Sequence, residues 1–242
     1  MIISLVQTKG GTGKSVLALN LAYARGLRKH FANVSLVEFD PQGTLHSWWL
    51  QRQALKPQGA SVAFHHIPDT DRETLRERLD AVTAAETLTI IDTPGESTGK
   101  MHTKLACVIS DLVLIPMRAS TSDEAALAYH LLPIVRDLQN HDPDRRGRFQ
   151  VLPTFVNPRS HPQTIIEYFR AILPQELGCL SAVFPSRAVY ENFNRDGEQL
   201  YEYAQRNRGN QRAAQAAQRA IADVDRITNA VLSHLSLDRK SP

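Results

Sequence analysis

The chain has 242 residues, 42% of them hydrophobic and 22% charged, a balance that suits a folded globular protein and excludes an extended disordered one. Its formal charge of +3 is unevenly placed, because residues 1–144 hold 14 basic and 16 acidic side chains whereas residues 145–242 hold 14 and 9. The two cysteines, Cys107 and Cys179, stand apart in apolar surroundings and exclude a disulfide framework, and the nine histidines lack metal-site spacing.

Residues 2–6 are an apolar run that reads as a strand, followed by Lys9-Gly10-Gly11-Thr12-Gly13-Lys14-Ser15 and a helical pattern over 15–29. A strand, a glycine loop and a helix in that order make a phosphate cradle. The glycines permit backbone angles that turn successive N–H groups inward, and the helix adds its positive end. Lys14 is placed to neutralise the β- and γ-phosphates of a nucleotide, and the Ser15 hydroxyl to ligand Mg2+.

Residues 34–39 form the next strand, delivering Asp40-Pro41-Gln42-Gly43 at the edge where parallel sheets bind ligands. A helix over 44–54 carries Trp48 and Trp49, one of them expected in the core. Residues 61–66 read as a short strand, with His65 and His66 on opposite faces, and 71–84 as a helix capped by Thr70 or Asp71. The apolar run 88–91 ends in Asp92-Thr93-Pro94-Gly95. An apolar strand ending in aspartate, paired with a glycine loop, supplies a carboxylate for Mg2+ or its water.

Residues 112–116 are a further strand, with a helix over 122–138 and then a polar loop carrying Arg145, Arg146 and Arg148. Strand 149–156 ends at Asn157-Pro158-Arg159, a helix covers 164–173, and 180–184 is expected as the last strand, closed by Pro185. From 198 to 237 the pattern is helical with a break near Gly209. Ala217, Ile221, Val224, Ile227, Val231 and Leu235 give it one apolar stripe, read as a helix packed on the parent domain. Arginine makes up 21 of the 28 basic residues, and Arg206, Arg208, Arg212 and Arg219 share a stretch without acids. That face is expected to meet DNA without sequence preference.

The alternation of strand and helix predicts one α/β domain over 1–242, with a doubly wound, mainly parallel sheet and helices on both faces. Loops carrying Lys14, Asp40 and Asp92 then meet at one rim. No apolar run reaches membrane-spanning length and the first residues lead straight into strand and loop, so a cytoplasmic protein without a signal peptide is expected.

The glycine loop departs from the ordinary P-loop, which has a glycine where this chain has Thr8, and it carries a second lysine, Lys9. With the Asp40-Pro41-Gln42 and Asp92-Thr93-Pro94-Gly95 turns, it resembles the deviant Walker A motif of the ParA and MinD ATPases. The similarity runs over nearly the whole length, including Ser110-Asp111-Leu112-Val113-Leu114-Ile115-Pro116. This resemblance implies ATP and Mg2+ as cofactors and Lys9, Lys14 and Asp40 as catalytic residues. Asp40 would position the attacking water, and Lys9 would point outward to a partner subunit's nucleotide. Residues 10–16, from Gly10 to Val16 with Thr12 and Ser15, would hold the phosphates, Ser15 and Asp92 the metal, and Asn157 and Pro185 the adenine side. The implied cycle is an ATP-bound homodimer that binds nonspecific DNA, associates with the nucleoid, and is released when a small centromere-binding or adaptor protein stimulates hydrolysis. Because the first residues read as the first strand, the N-terminal helix-turn-helix of larger ParA proteins is not expected, and specific DNA reading would fall to that partner.

Three departures stand out: Ser15-Val16 replaces two threonines, Glu38 replaces the first acid of an Asp-x-Asp turn, and Arg118 replaces a small or polar residue. The resemblance also admits a component of conjugative DNA transfer, or membrane positioning as in MinD. A tail with little bulky apolar content argues against the membrane, and the absence of a Cys-x-x-Cys pair argues against iron–sulfur carriage.

Overall fold

Most of the strands are runs of four to eight mainly apolar residues, and their apolar content is explained by a sheet covered on both sides. The computed structural model describes residues 1–55, 62–84, 86–95, 100–190 and 196–236. The strands are β1 (Ile2–Leu5), β2 (Asn33–Glu38), β3 (Ala63–His66), β4 (Thr87–Asp92), β5 (Leu112–Met117), β6 (Phe149–Val156), β7 (Gly178–Cys179) and β8 (Phe184–Pro185). They are ordered β3-β2-β4-β1-β5-β6-β7, with β8 also on β6, and every pairing is parallel. The expected α/β architecture is thus present.

Successive residues of each strand feed opposite layers. Ile3, Leu5, Leu36, Leu88, Ile90, Leu112 and Leu114 face one cluster, which includes Leu17 and Leu21 of α1 (Lys14–Ala22). Val113, Ile115 and Val151 face a second, with Ala106 and Cys107 of α5 (Lys100–Ile109). Val37 and Ile91 join a third, with Leu75 and Leu79 of α4 (Arg72–Val82). Asp71 is the α4 cap, accepting from the Thr74 amide at 2.8 Å.

The helix expected over 15–29 is two pieces, because α1 ends at Ala22, Ala24 is extended, and α2 (Arg25–Arg28) starts afresh. Helix α3 (Thr44–Leu55) buries Trp48, whose indole donates to the Glu198 carbonyl at 3.1 Å, and lays Trp49 on Phe64. Helix α5, over a stretch for which no element is expected above, closes the layer beside β5 with Ala106 and Cys107. The helix expected over 122–138 is three segments: α6 (Thr121–Ala126), a π-helical turn (Leu127–Leu131) and α7 (Leu132–His141). The wider turn keeps Leu127 and Leu131 both buried while Tyr129 is exposed.

The strand expected over 180–184 is corrected. β7 and β8 pair with β6 at its two ends; the Leu180 amide still donates to the Val151 carbonyl at 2.9 Å, and the following Ala182 and Val183 leave the ladder to fill the core. Where β8 pairs, the register shifts between Thr154 and Val156, leaving Phe155 at φ 55°. A left-handed Phe costs about 1–3 kcal/mol, and such a bulge re-aims its side chain. Strand 61–66 is described from Ala63, residue 61 lying outside the described residues.

After α8 (Pro162–Ile172), the C-terminal region is α9 (Leu200–Arg206) and α10 (Gln211–His234). The break falls at Gly209 as expected, and Asn210 makes the new cap by accepting from the Ala213 amide at 3.2 Å. Ala217, Val224, Ile227 and Val231 are buried, with Ile221 and Leu235 packed on the same cluster. Leu237 lies outside the described residues. Among the described residues no helix is long and apolar enough to cross a membrane.

Candidate functional site

The order of strands places β1 between β4 and β5, with β2 beyond β4, so the loops after β1, β2, β4 and β5 leave the sheet along one edge. The first holds residues 9–15. Gly11 (φ 68°) and Gly13 (φ 93°) are left-handed as a phosphate loop requires, whereas Gly10 is not. Thr12 is buried, and Val16 half-buried against the core. Lys14 is the first residue of α1, 6% exposed, and its ammonium donates to the Lys9 carbonyl at 3.3 Å. Burial lowers its pKa from the usual lysine range, opposed by the charges of Asp92 and then Asp40.

Asp92 ends β4 with no exposed surface, and among the described residues neither of its oxygens has a hydrogen-bond partner in normal geometry. Burial pushes its carboxyl up to about 7, against the nearby Ser15 hydroxyl and Lys14 ammonium, which lower it. An orphaned buried carboxylate facing a hydroxyl is an all-oxygen donor set, which fits Mg2+. The turn after Asp92 lies on the phosphate loop. A Cβ on Gly95 would stand 2.9 Å from Gly10 Cα and 3.1 Å from Lys14 Nζ, so only glycine fits there. Thr93 ties the same turn to β1 through its hydroxyl and the Leu5 carbonyl, 2.8 Å apart.

Asp40 follows β2. Its carboxylate accepts from the Gln42 amide at 2.9 Å, and its carbonyl accepts from the Gly43 amide and from the His66 ring, both at 3.0 Å. His46 stacks on His66 with ring centroids 4.8 Å apart. The two histidines therefore brace the Asp40 turn. Glu38 is not turned towards the phosphate loop. Its carboxylate takes two free amides of the first turn of α3, Leu45 at 2.8 Å and His46 at 2.9 Å. Burial raises its pKa despite those amides.

Lys9 follows β1 at the start of the loop. It is held within its own chain, its ammonium on Ser122 Oγ at 2.5 Å and Asp123 Oδ1 at 2.6 Å, and its side chain is 34% exposed. Asp123 is wholly buried and also accepts from the Arg118 amide at 2.9 Å and the Ser120 hydroxyl at 3.0 Å. Burial alone raises the Asp123 carboxyl, but the bonds from Lys9, Arg118 and Ser120 outweigh it and hold it below the usual carboxylate range. Ser120 caps α6, so a Ser-x-x-Asp pattern in the sequence was the available signal for this residue.

Asn157 and Pro185 line one cavity of about 370 Å³, together with Arg187, Arg226 and the buried Asp223 that pairs with both arginines. Residues 9–15 are not among the described residues lining it; Phe184, which lies between the lining residues Val183 and Pro185, has a ring carbon 3.9 Å from the Cβ position of Gly13. The C-terminal arginines differ in their surroundings. Arg206 pairs with Asp196 and Glu198, acids that precede the acid-free stretch, at 2.9 and 3.0 Å. Arg208, Arg212 and Arg219 are exposed and form no ion pair among the described residues.

The model of the CobQ/CobB/MinD/ParA nucleotide binding domain matches residues 3–200. The chain is 26% identical over 227 residues to the maintenance of carboxysome distribution protein A of Gloeobacter kilaueensis, covering 92% of each. Its fold is similar to a plasmid partition protein of Borrelia burgdorferi bound to AMPPNP (TM-score 0.62, 18% identity, 96% of this chain and 98% of that one). It is also similar to McdA of Cyanothece carrying an aspartate-to-alanine change, in complex with ATP (TM-score 0.61, 16% identity, 97% and 96%). The glycine loop with two lysines, the orphaned Asp92 beside it and the match over residues 3–200 make the chain a member of the CobQ/CobB/MinD/ParA nucleotide-binding family, a deviant Walker A ATPase of the ParA and MinD type.

Proposed function

We propose that this ATPase positions a cargo over DNA: it closes an ATP-bound homodimer, binds nonspecific DNA in that state, and is released when a small adaptor protein stimulates hydrolysis. The convergence of Lys14, Asp40 and Asp92 on one loop cluster carries this reading, since Lys14 feels the charge of both acids. Lys14 would neutralise the terminal phosphates and Asp40 orient the attacking water from its braced turn. Ser15 and Asp92 would hold Mg2+, which supplies charge neutralisation on the phosphates when bound. Asn157 and Pro185 would flank the base. The relatives named for carboxysome distribution and plasmid partition make a large cargo the natural load. Residues 1–242 act as one domain in this reading, in the cytoplasm.

Lys9 would leave Asp123 on dimerisation and reach the nucleotide of the second subunit. Sedimentation with a nonhydrolysable ATP analogue tests this. The wild-type chain is expected to dimerise with the analogue and not with ADP, and Lys9→Gln to bind nucleotide as a monomer and lose DNA binding. A nucleotide-independent oligomer, or a Lys9→Gln dimer, refutes the proposal.

A further inference from the structure

The phosphate loop is gripped from outside by a side chain that the family motif does not include. Arg118, the first residue after β5, donates its guanidinium to the Gly11 carbonyl and lies 3.9 Å above the centroid of the Phe155 ring. Phe155 is the left-handed residue of the β6 bulge. Its neighbours Thr154 and Val156 are buried while its own ring is 46% exposed, so the bulge carries the ring out of the strand and over the loop. A ring carbon stands 3.5 Å from the Cβ position of Gly13, and an Arg118 nitrogen 3.5 Å from that of Gly11. Ring and guanidinium together cover the two left-handed glycines.

The consequence lies in the peptide plane. The Gly11 carbonyl and the Thr12 N–H belong to one trans peptide and point opposite ways. Glycines on a loop leave that plane free to flip, because both signs of φ are open to them. A guanidinium holding the carbonyl on the outer side fixes the amide on the inner side, before any ligand arrives. We propose that Arg118, stacked on Phe155, is a positioning residue that locks the Gly11–Thr12 peptide with its N–H turned into the phosphate cradle. The same turn organises Lys9, since Asp123 accepts from both the Arg118 amide and the Lys9 ammonium. The inference rests on residues 9–15 being the phosphate site.

The test uses the full chain and calorimetry with ATP and ADP. Arg118→Ala is expected to weaken both nucleotides alike, by about ten- to a hundredfold, the scale of one charge-assisted hydrogen bond. The Thr12 amide resonance of the free protein should shift and broaden in the same variant. Arg118→Lys should not rescue, because an ammonium lacks the flat face that stacks on a ring. Phe155→Leu should weaken binding in the same direction by a smaller factor. Rescue by lysine, or a loss confined to ATP, would mean that Arg118 touches the γ-phosphate directly and would overturn the proposal. So would unchanged affinities with an unmoved Thr12 resonance. Lys14→Ala separates the two levels: if it binds ATP like wild type the phosphate-site reading fails, and if it loses ATP while Arg118→Ala does not, only the positioning role fails.

Discussion

Replacing Asp123 by asparagine tests how the free chain stores Lys9. The carboxylate has no exposed surface and takes three donors: Lys9 Nζ at 2.6 Å, the Arg118 amide at 2.9 Å and the Ser120 hydroxyl at 3.0 Å. Asparagine keeps the shape but removes the charge, and presents an NH2 group to one set of donors. A hydrogen bond to a charged group contributes about 1.5–3 kcal/mol. Because Lys9 is 34% exposed, water recovers part of the loss. We expect a net destabilisation of about 2 kcal/mol, or roughly 4–8 °C in Tm for a chain of this size. Asp123 is held below its usual pKa, so its contribution is present above the unfolded carboxylate value and is lost as pH falls through the folded one. The Tm gap between the two proteins should therefore be full near neutrality and close in acid, below about pH 4. The freed Lys9 no longer has to abandon a partner, so the variant should dimerise with a nonhydrolysable ATP analogue at about tenfold lower protein concentration. Thermal unfolding by circular dichroism at several pH values and sedimentation read the two effects. Equal Tm at neutral pH, or a variant that cannot dimerise, refutes the reasoning.

Asp40→Ala should retain ATP in calorimetry and hydrolyse it far more slowly, because among the described residues the Asp40 carboxylate bonds its own turn and no phosphate-loop residue; wild-type turnover would remove it from catalysis. If Arg208, Arg212 and Arg219 contact DNA, the log-log slope of affinity against salt should fall by about one per arginine replaced with alanine. Arg206 should contribute less than the other three, being already paired with Asp196 and Glu198. Equal binding by the triple variant clears that face.

The residue types alone determined the parallel α/β fold and the phosphate loop. Alternation of apolar strands with amphipathic helices has few packed solutions, and a glycine loop between strand and helix specifies its own local geometry. The apolar stripe of α10 was equally legible, because 3.6-residue spacing states which side is buried. The tertiary structure decided what depends on distant groups. The pairing of β6 fixed where β7 and β8 touch the sheet, and so left Ala182 and Val183 off the ladder. The bulge at Phe155 and the reach of Arg118 to Gly11 join residues 37 and 107 positions apart. Lys9 found its partner 114 residues away at Asp123, and Arg206 met acids outside its own acid-free stretch. Hydrogen bonds and ion pairs act over a few ångströms, so which charges meet is settled by the packing of the chain and not by their order along it.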